Sequence, residues 1–182
     1  DQGQIEVLGQ ETRRSSVSEL ARSVGFVFQN PDQQIFDDSV WGEATFASRN
    51  FDILDDGARA RIADLLERSG LEDRHEDHPY RLSYGEKRRL NLISVLSYGP
   101  RLILLDEVLI GQDPANAAFL LGLLRERVEA GDTVIMVNHA PEITRCYASR
   151  VLFFDGGKIV VDAPPARAFA HLRSMGRSAY AP

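Results

Sequence analysis

Asp106 and Glu107 follow directly on the apolar run at residues 102–105. Two carboxylates at the end of a buried strand can do two jobs. One can hold a hard divalent cation, which takes oxygen ligands; the other can accept a proton from an attacking water. Two further apolar runs end in side chains of similar use: residues 24–28 lead into Gln29, and residues 134–138 into His139. Singly these carry little weight, because strand-end carboxylates and lone histidines are mostly structural. Three at one sheet edge point to a site, since open parallel sheets bind ligands beyond the carboxyl ends of their strands.

The stretch Leu82-Ser83-Tyr84-Gly85-Glu86-Lys87-Arg88-Arg89 opens a helix. Ser83 and Glu86 stand at capping-box spacing. A helix N-terminus with free N–H groups, and a glycine that permits close approach, also suits phosphate oxygens. On these residues alone both readings stand. Lys87-Arg88-Arg89 reads as a solvated helix face or a contact to the preceding loop. His75 and His78, beside Glu76 and Asp77, read as a polar loop, and Phe26, Phe28, Phe36 and Trp41 as core and helix docking.

The elements that must position these residues follow from hydrophobic periodicity. Residues 4–8 alternate polar and apolar and stop at Gly9, a half-exposed strand and turn. A short helix fits residues 17–22 and a short strand 24–28, after which Gln29-Asn30-Pro31-Asp32 is turn chemistry. Residues 56–69 predict an amphipathic helix with Ala58, Ile62, Leu65 and Leu66 on one face and Gly70 as its stop. Further helices are expected at 83–97, 115–130, 141–147 and 166–172, with a frayed tail beyond. Strands are expected at 102–105 and 133–138, and a hairpin turns at Asp155-Gly156-Gly157-Lys158. Strands alternating with helices indicate an α/β fold, a parallel sheet covered on both faces.

Composition narrows the function classes. The 182 residues are 43% hydrophobic and 26% charged, enough to bury a core. A net charge of -6 argues against a nucleic-acid binder, which usually carries a basic stripe. Cys146 is the single cysteine, so there is no disulfide framework, as in a reducing cytoplasm. No apolar run approaches the length of a membrane-spanning helix. The chain opens on Asp1-Gln2-Gly3-Gln4, without a signal peptide or initiator Met, and the motifs below favour a fragment over a processed chain.

In order, Phe28-Gln29-Asn30-Pro31, Leu82-Ser83-Tyr84-Gly85-Glu86, Leu102-Ile103-Leu104-Leu105-Asp106-Glu107, Gly111-Gln112-Asp113 and Val137-Asn138-His139 resemble the Q-loop, signature, Walker B, D-loop and switch-histidine motifs of ATP-binding cassette (ABC) ATPases. The resemblance covers about residues 5–163, and the stretch at 28–36 is most similar to ATPases of energy-coupling-factor importers, which take up vitamins or cobalt and nickel ions. It implies a P-loop NTPase-type parallel sheet plus a helical subdomain. Residues 1–45 would hold the remaining N-terminal strands and Q-loop, 46–82 the helical subdomain, and 83–182 the catalytic core and C-terminal strands. It further implies that Asp106 holds Mg²⁺, that Glu107 is the general base, and that His139 contacts the γ-phosphate of ATP. Gln29 would touch metal or water. Ser83, Tyr84, Gly85 and Glu86 would face ATP held by a second ABC domain, in a homo- or heterodimer, with Asp113 in that interface. The partners would be that domain and a transmembrane coupling subunit, with no nucleic acid, at the cytoplasmic face of the membrane as a peripheral protein.

The sequence departs from the family pattern in several places. The phosphate loop Gly-x-x-x-x-Gly-Lys-Ser/Thr does not occur in these residues. The resemblance places it before the strand near Ile5, so the chain alone is expected to bind ATP weakly and to leave core exposed. Tyr84 stands where the first signature glycine is usual, Glu86 where Gln is, Val108-Leu109 where Pro-Thr is, and Gln112 where Leu is. A carboxylate at Glu86 weakens attraction for phosphates unless Lys87 or Arg88 compensates. An alternative reading is a non-catalytic module that donates its signature helix to a partner's ATP. An ABC ATPase of DNA repair or cluster assembly is a third, the DNA version disfavoured by the acidic charge and the absence of long heptads.

Overall fold

Leu8 and Gly9 take positive φ, 50° and 80°, and reverse the chain between β1 (Glu6–Val7) and β2 (Gln10–Glu11), an antiparallel pair. Ser16 and Glu19 then form a reciprocal capping box that starts α1 (Val17–Ala21). The computed structural model describes residues 3–181 and divides into two units, Asp1–Met136 and Val137–Pro182; Asp1, Gln2 and Pro182 lie outside the described residues.

In the first unit, β3 (Val24–Val27) is followed by a 3₁₀ turn at Pro31–Gln34 and three helices: α2 (Val40–Asn50), α3 (Asp56–Arg68) and α4 (Tyr84–Leu96). The strand β4 (Leu102–Asp106) pairs in parallel with β3, Val24 opposite Leu102 through Val27 opposite Leu105. After α5 (Pro114–Glu129), β5 (Thr133–Val137) completes a three-stranded sheet in the order β3–β4–β5. This is the α/β architecture with a parallel sheet that the sequence predicts. α2 is an addition to that reading. Its buried face is Val40, Gly42, Glu43, Ala44, Thr45 and Ser48, too small and polar to show as an apolar stripe.

α4 is shared by two cores. Leu92, Val95 and Leu96 pack with Val27, Ile103, Leu105, Leu120, Leu123 and Leu124 between sheet and α5. Leu90 and Ile93, on the other flank of the helix, pack with Val40, Ala44, Ile62, Leu66 and Leu71 of the helical layer. Gly25 permits this approach of sheet and helix: a Cβ there would lie 2.4 Å from Val95 Cγ1 and 2.9 Å from Pro100 Cγ. The opposite face of the sheet is apolar and open, with Phe26 41% and Ile135 51% exposed. Phe28 and Phe36 are likewise exposed, so these three phenylalanines are not the core residues expected from their type. Strand alternation accounts for Phe26: Val27 faces α4, so Phe26 must face away. Only Trp41 of that set packs, half-buried, against the helical core.

The second unit begins at the end of β5 and contains α6 (Pro141–Tyr147), the antiparallel pair β6 (Val151–Asp155) and β7 (Lys158–Ala163), and α7 (Pro165–Ser174). Its core is Val161, Ala168, Phe169, Leu172 and Ala181. The tail expected to fray is tied back: Tyr180 meets Phe153 edge-on at 5.1 Å between ring centroids, and Arg177 pairs with Asp155. No described helix is long and apolar enough to cross a membrane.

Leu66 is fully buried, so Leu66→Ala is expected to lower stability by about 2–5 kcal/mol, read as a shift of the urea midpoint. Glu43, 1% exposed, accepts from the Phe36 and Asp37 amides at 2.7 and 3.0 Å. Burial nevertheless pushes its carboxyl above the ordinary value of 4.5. The folded state therefore binds more protons than the unfolded state just above pH 4.5, and Glu43's contribution falls as pH rises through that window. The stability difference between wild type and Glu43→Gln should fall with it; a pH-independent difference would contradict this.

Candidate active site

The pairing of β3 with β4 sets the level of the site. Val27 is opposite Leu105, so two residues further along each chain Gln29 and Glu107 come side by side at the carboxyl ends of the strands. Gln29 Nε2 donates to Glu107 Oε2 at 2.5 Å. Glu107 has φ 49°, in the left-handed region that a side-chain-bearing residue occupies at a cost of about 1–3 kcal/mol. That conformation stops β4 at Asp106 and starts the turn in which the Ile110 amide donates to the Glu107 carbonyl at 3.2 Å. Asp106 and Glu107 are both half-buried.

The loop carrying Gln29 is fastened to α4 by three side chains. Arg88, 1% exposed, donates to the Phe28 carbonyl at 2.5 Å, to the Gln29 carbonyl, and to the Tyr84 hydroxyl at 3.1 Å. Lys87 Nζ pairs with Asp32 at 2.7 Å, and Asn91 Nδ2 donates to the Pro31 carbonyl at 2.9 Å. Gln34 closes the loop from within by accepting the Phe28 amide at 3.1 Å. The basic run is therefore not a solvated face: Lys87 and Arg88 hold the loop after β3. Contact to the segment preceding α4 is made by Lys87, whose Nζ lies 4.9 Å from the Tyr80 ring centroid. Helical spacing carried the signal. Leu92, Val95 and Leu96 are core, and one turn before Leu92 is position 88.

At the start of α4 both arms of the capping box are formed. Ser83 Oγ accepts from the Glu86 amide at 3.3 Å, and Glu86 Oε2 accepts from the Ser83 amide at 2.7 Å. Glu86 also reaches Arg74 at 3.3 Å. Its carboxyl is held below the ordinary range, first by hydrogen bonding to Ser83 and then by the charges of Arg74 and Arg89. The cations that offset Glu86 are thus Arg74 and Arg89, not Lys87 or Arg88, which reach the Gln29 loop instead. Ser83 and Tyr84 remain exposed.

Gly85 allows the first turns of α4 and α5 to meet: a Cβ there would lie 3.3 Å from Asn116 Nδ2. Asn116, buried at this crossing, accepts from Arg89 at 2.8 Å and donates to Gln112 Oε1. Asp113 is the N-cap of α5, accepting from the Asn116 amide at 2.9 Å. Asn116 is a link that the sequence reading missed, and it gives Gln112 a partner. His139 belongs to the second unit, exposed, two residues past the end of β5. The backbone around it is clasped by Asn138, which accepts from the Ala140 amide at 3.0 Å and donates to the Ala140 carbonyl at 2.9 Å.

Mg²⁺ can be tested against this donor set. Among the described residues no group of three or more His, Cys, Asp or Glu gathers to hold a metal, so there is no all-protein cage. Asp106 and the Gln29 side-chain oxygen offer the sparse oxygen set that suits Mg²⁺, which fills its remaining positions with water and substrate phosphates. The residues present fit that ion.

Residues 1–109 match the family described as ABC transporter. The chain is 35% identical over 167 residues to an ABC transporter ATP-binding protein of Methanosarcina mazei, covering 92% of this chain and 28% of that protein. It is 31% identical over 180 residues to the energy-coupling factor transporter ATP-binding protein EcfA2 of Methanospirillum hungatei, covering 98% of this chain and 45% of that protein. The chain thus spans well under two thirds of these relatives. The solved structure of CbiO1 from Clostridium perfringens, part of the ABC transporter complex CbiONQ, superposes with a TM-score of 0.77 at 28% identity, covering 94% of this chain and 70% of that one. With the family matched across residues 1–109, more than half of the chain, the chain belongs to the ABC transporter family.

Proposed function

We propose that this chain carries the hydrolytic side of an ATP site in the ATP-binding subunit of an importer. The observation that carries the reading is the hydrogen bond from Gln29 to Glu107, beside Asp106, at the carboxyl ends of β3 and β4. Asp106 and Gln29 would hold Mg²⁺, which when bound neutralises charge on the phosphates. Glu107 accepts the proton of the attacking water, and Gln29 keeps that carboxylate aimed. His139, beyond the end of β5, takes the γ-phosphate contact. Phosphoryl transfer is mostly positioning and charge neutralisation, so such fixed donors are what the step requires.

The exposed turn Ser83-Tyr84-Gly85, with Glu86 neutralised by arginines, faces ATP held by a second ABC domain, and Asp113 lies in that interface. A transmembrane subunit couples the pair, which sits at the cytoplasmic face of the membrane. The likeness to EcfA2 and CbiO1 supports an energy-coupling-factor-type importer of vitamins or of cobalt or nickel ions.

In the full-length protein, Glu107→Gln should lower ATP turnover by about 10²–10⁴-fold while a fluorescent ATP analogue still binds within a few-fold of wild type. Turnover that survives the substitution would reject Glu107 as base. Stimulation of a partner's ATPase by a Glu107→Gln chain that never turned over before substitution would instead identify a donor of the signature turn.

A further inference from the structure

Arg88 is among the largest fully buried side chains of the chain, and its acceptors are unusual for a buried cation. They are two successive backbone carbonyls, of Phe28 and Gln29, and the Tyr84 hydroxyl. Nε is left without a partner. A guanidinium keeps its charge in any protein environment, so its burial is costly unless its donors are used. An apolar side chain would avoid the cost of burying the cation but would leave the Phe28 and Gln29 carbonyls without this donor.

Holding the loop against α4 does not require this arginine. Asn91 already holds the Pro31 carbonyl, Lys87 holds Asp32, and Gln34 holds the Phe28 amide. What Arg88 adds is specific to one residue. The Phe28 carbonyl lies in the peptide plane before the Gln29 Cα, and the Gln29 carbonyl in the plane after it. Because each peptide unit is planar, fixing both planes fixes φ and ψ of Gln29, and with them the direction of its Cα–Cβ bond. From that starting direction the side chain extends until Nε2 reaches Glu107 Oε2.

We propose that Arg88 is a positioning residue: it clamps both peptide planes of Gln29 and so sets the Gln29–Glu107 contact, while Tyr84 fixes the guanidinium. Tyr84 stands in the first turn of α4, half-exposed, its ring 5.7 Å from the Arg88 guanidinium carbon. The chain Tyr84–Arg88–Gln29–Glu107 therefore connects the exposed start of α4 to the carboxylate at the end of β4. A group docking on that turn can move the Gln29 amide without touching it. The inference rests on the proposed hydrolytic role of Glu107 for its consequence, and on geometry alone for the coupling.

The test is carried out on the full-length protein without nucleotide, with glutamine side chains ¹⁵N-labelled and the Gln29 signal assigned by its loss in Gln29→Ala. The Gln29 Nε2 resonance should shift when Glu107→Ala removes the carboxylate that accepts from it. Arg88→Lys keeps the charge but cannot bridge two carbonyls as a planar fork does, and in its background the shift caused by Glu107→Ala should shrink several-fold. Where Arg88→Lys does not fold, Tyr84→Phe, at an exposed site, should reduce it in the same sense. An unchanged shift on Glu107→Ala in whichever of these backgrounds is folded overturns the proposal, whatever its effect on melting temperature. In turnover, Arg88→Lys should lower kcat by about 10²-fold, the scale of a small misplacement, with KM unchanged. Because the resonance needs no ATP, loss of the hydrolytic reading through an active Glu107→Gln protein would be told apart from loss of this one.

Discussion

A guanidinium cannot shed its charge, so a helix that buries one must bring acceptors to it. In this chain the acceptors come from the loop after β3, and much of the first unit is arranged around that demand. Arg88 sits on α4 one turn before Leu92, where the helix meets the sheet. The Phe28 and Gln29 carbonyls must end there, which places the loop across α4 and points Gln29 at the end of β4. The same helix gives Leu90 and Ile93 to the second core. A displacement of α4 is thus felt by the sheet, the helical layer and the Gln29 loop together.

The strand ends were legible because buried strands are short apolar runs with abrupt polar stops. Asp106, Glu107 and Gln29 follow such runs, and the parallel register brings Gln29 and Glu107 level. The hairpin at Gly156-Gly157 and the helices α3, α4 and α5 were legible from turn chemistry and 3.6-residue spacing. α2 was not, because a helix buried through Gly42, Ala44, Thr45 and Ser48 has no apolar stripe. Arg88 is hidden by its residue type: three cations in a row suggest a solvated face or a contact to the preceding loop, whereas the spacing of Leu92, Val95 and Leu96 puts position 88 inward. Asn116 gave no signal, since its role depends on α4 and α5 meeting at Gly85.

The start of α4 shows how one turn can serve structure and binding together. Ser83 and Glu86 satisfy each other's backbone amides, as any capping box does. Glu86 would present an unwelcome charge to phosphates, but Arg74 and Arg89 draw on the same carboxylate. Tyr84, in place of a glycine, turns its hydroxyl to Arg88 and its ring toward Gly111, whose added Cβ would lie 3.7 Å away. The departures from the family's signature thus have partners within this chain.

The central claim is that the β4 carboxylates and Gln29 receive the reacting end of ATP. A crystal structure of the full-length Glu107→Gln protein with ATP and Mg²⁺ tests it most directly. The account predicts the metal beside Asp106 and Gln29, and a water in line with the γ-phosphate about 3 Å from the side chain at position 107. Triphosphate bound with its γ-phosphate away from the ends of β3 and β4 would contradict it.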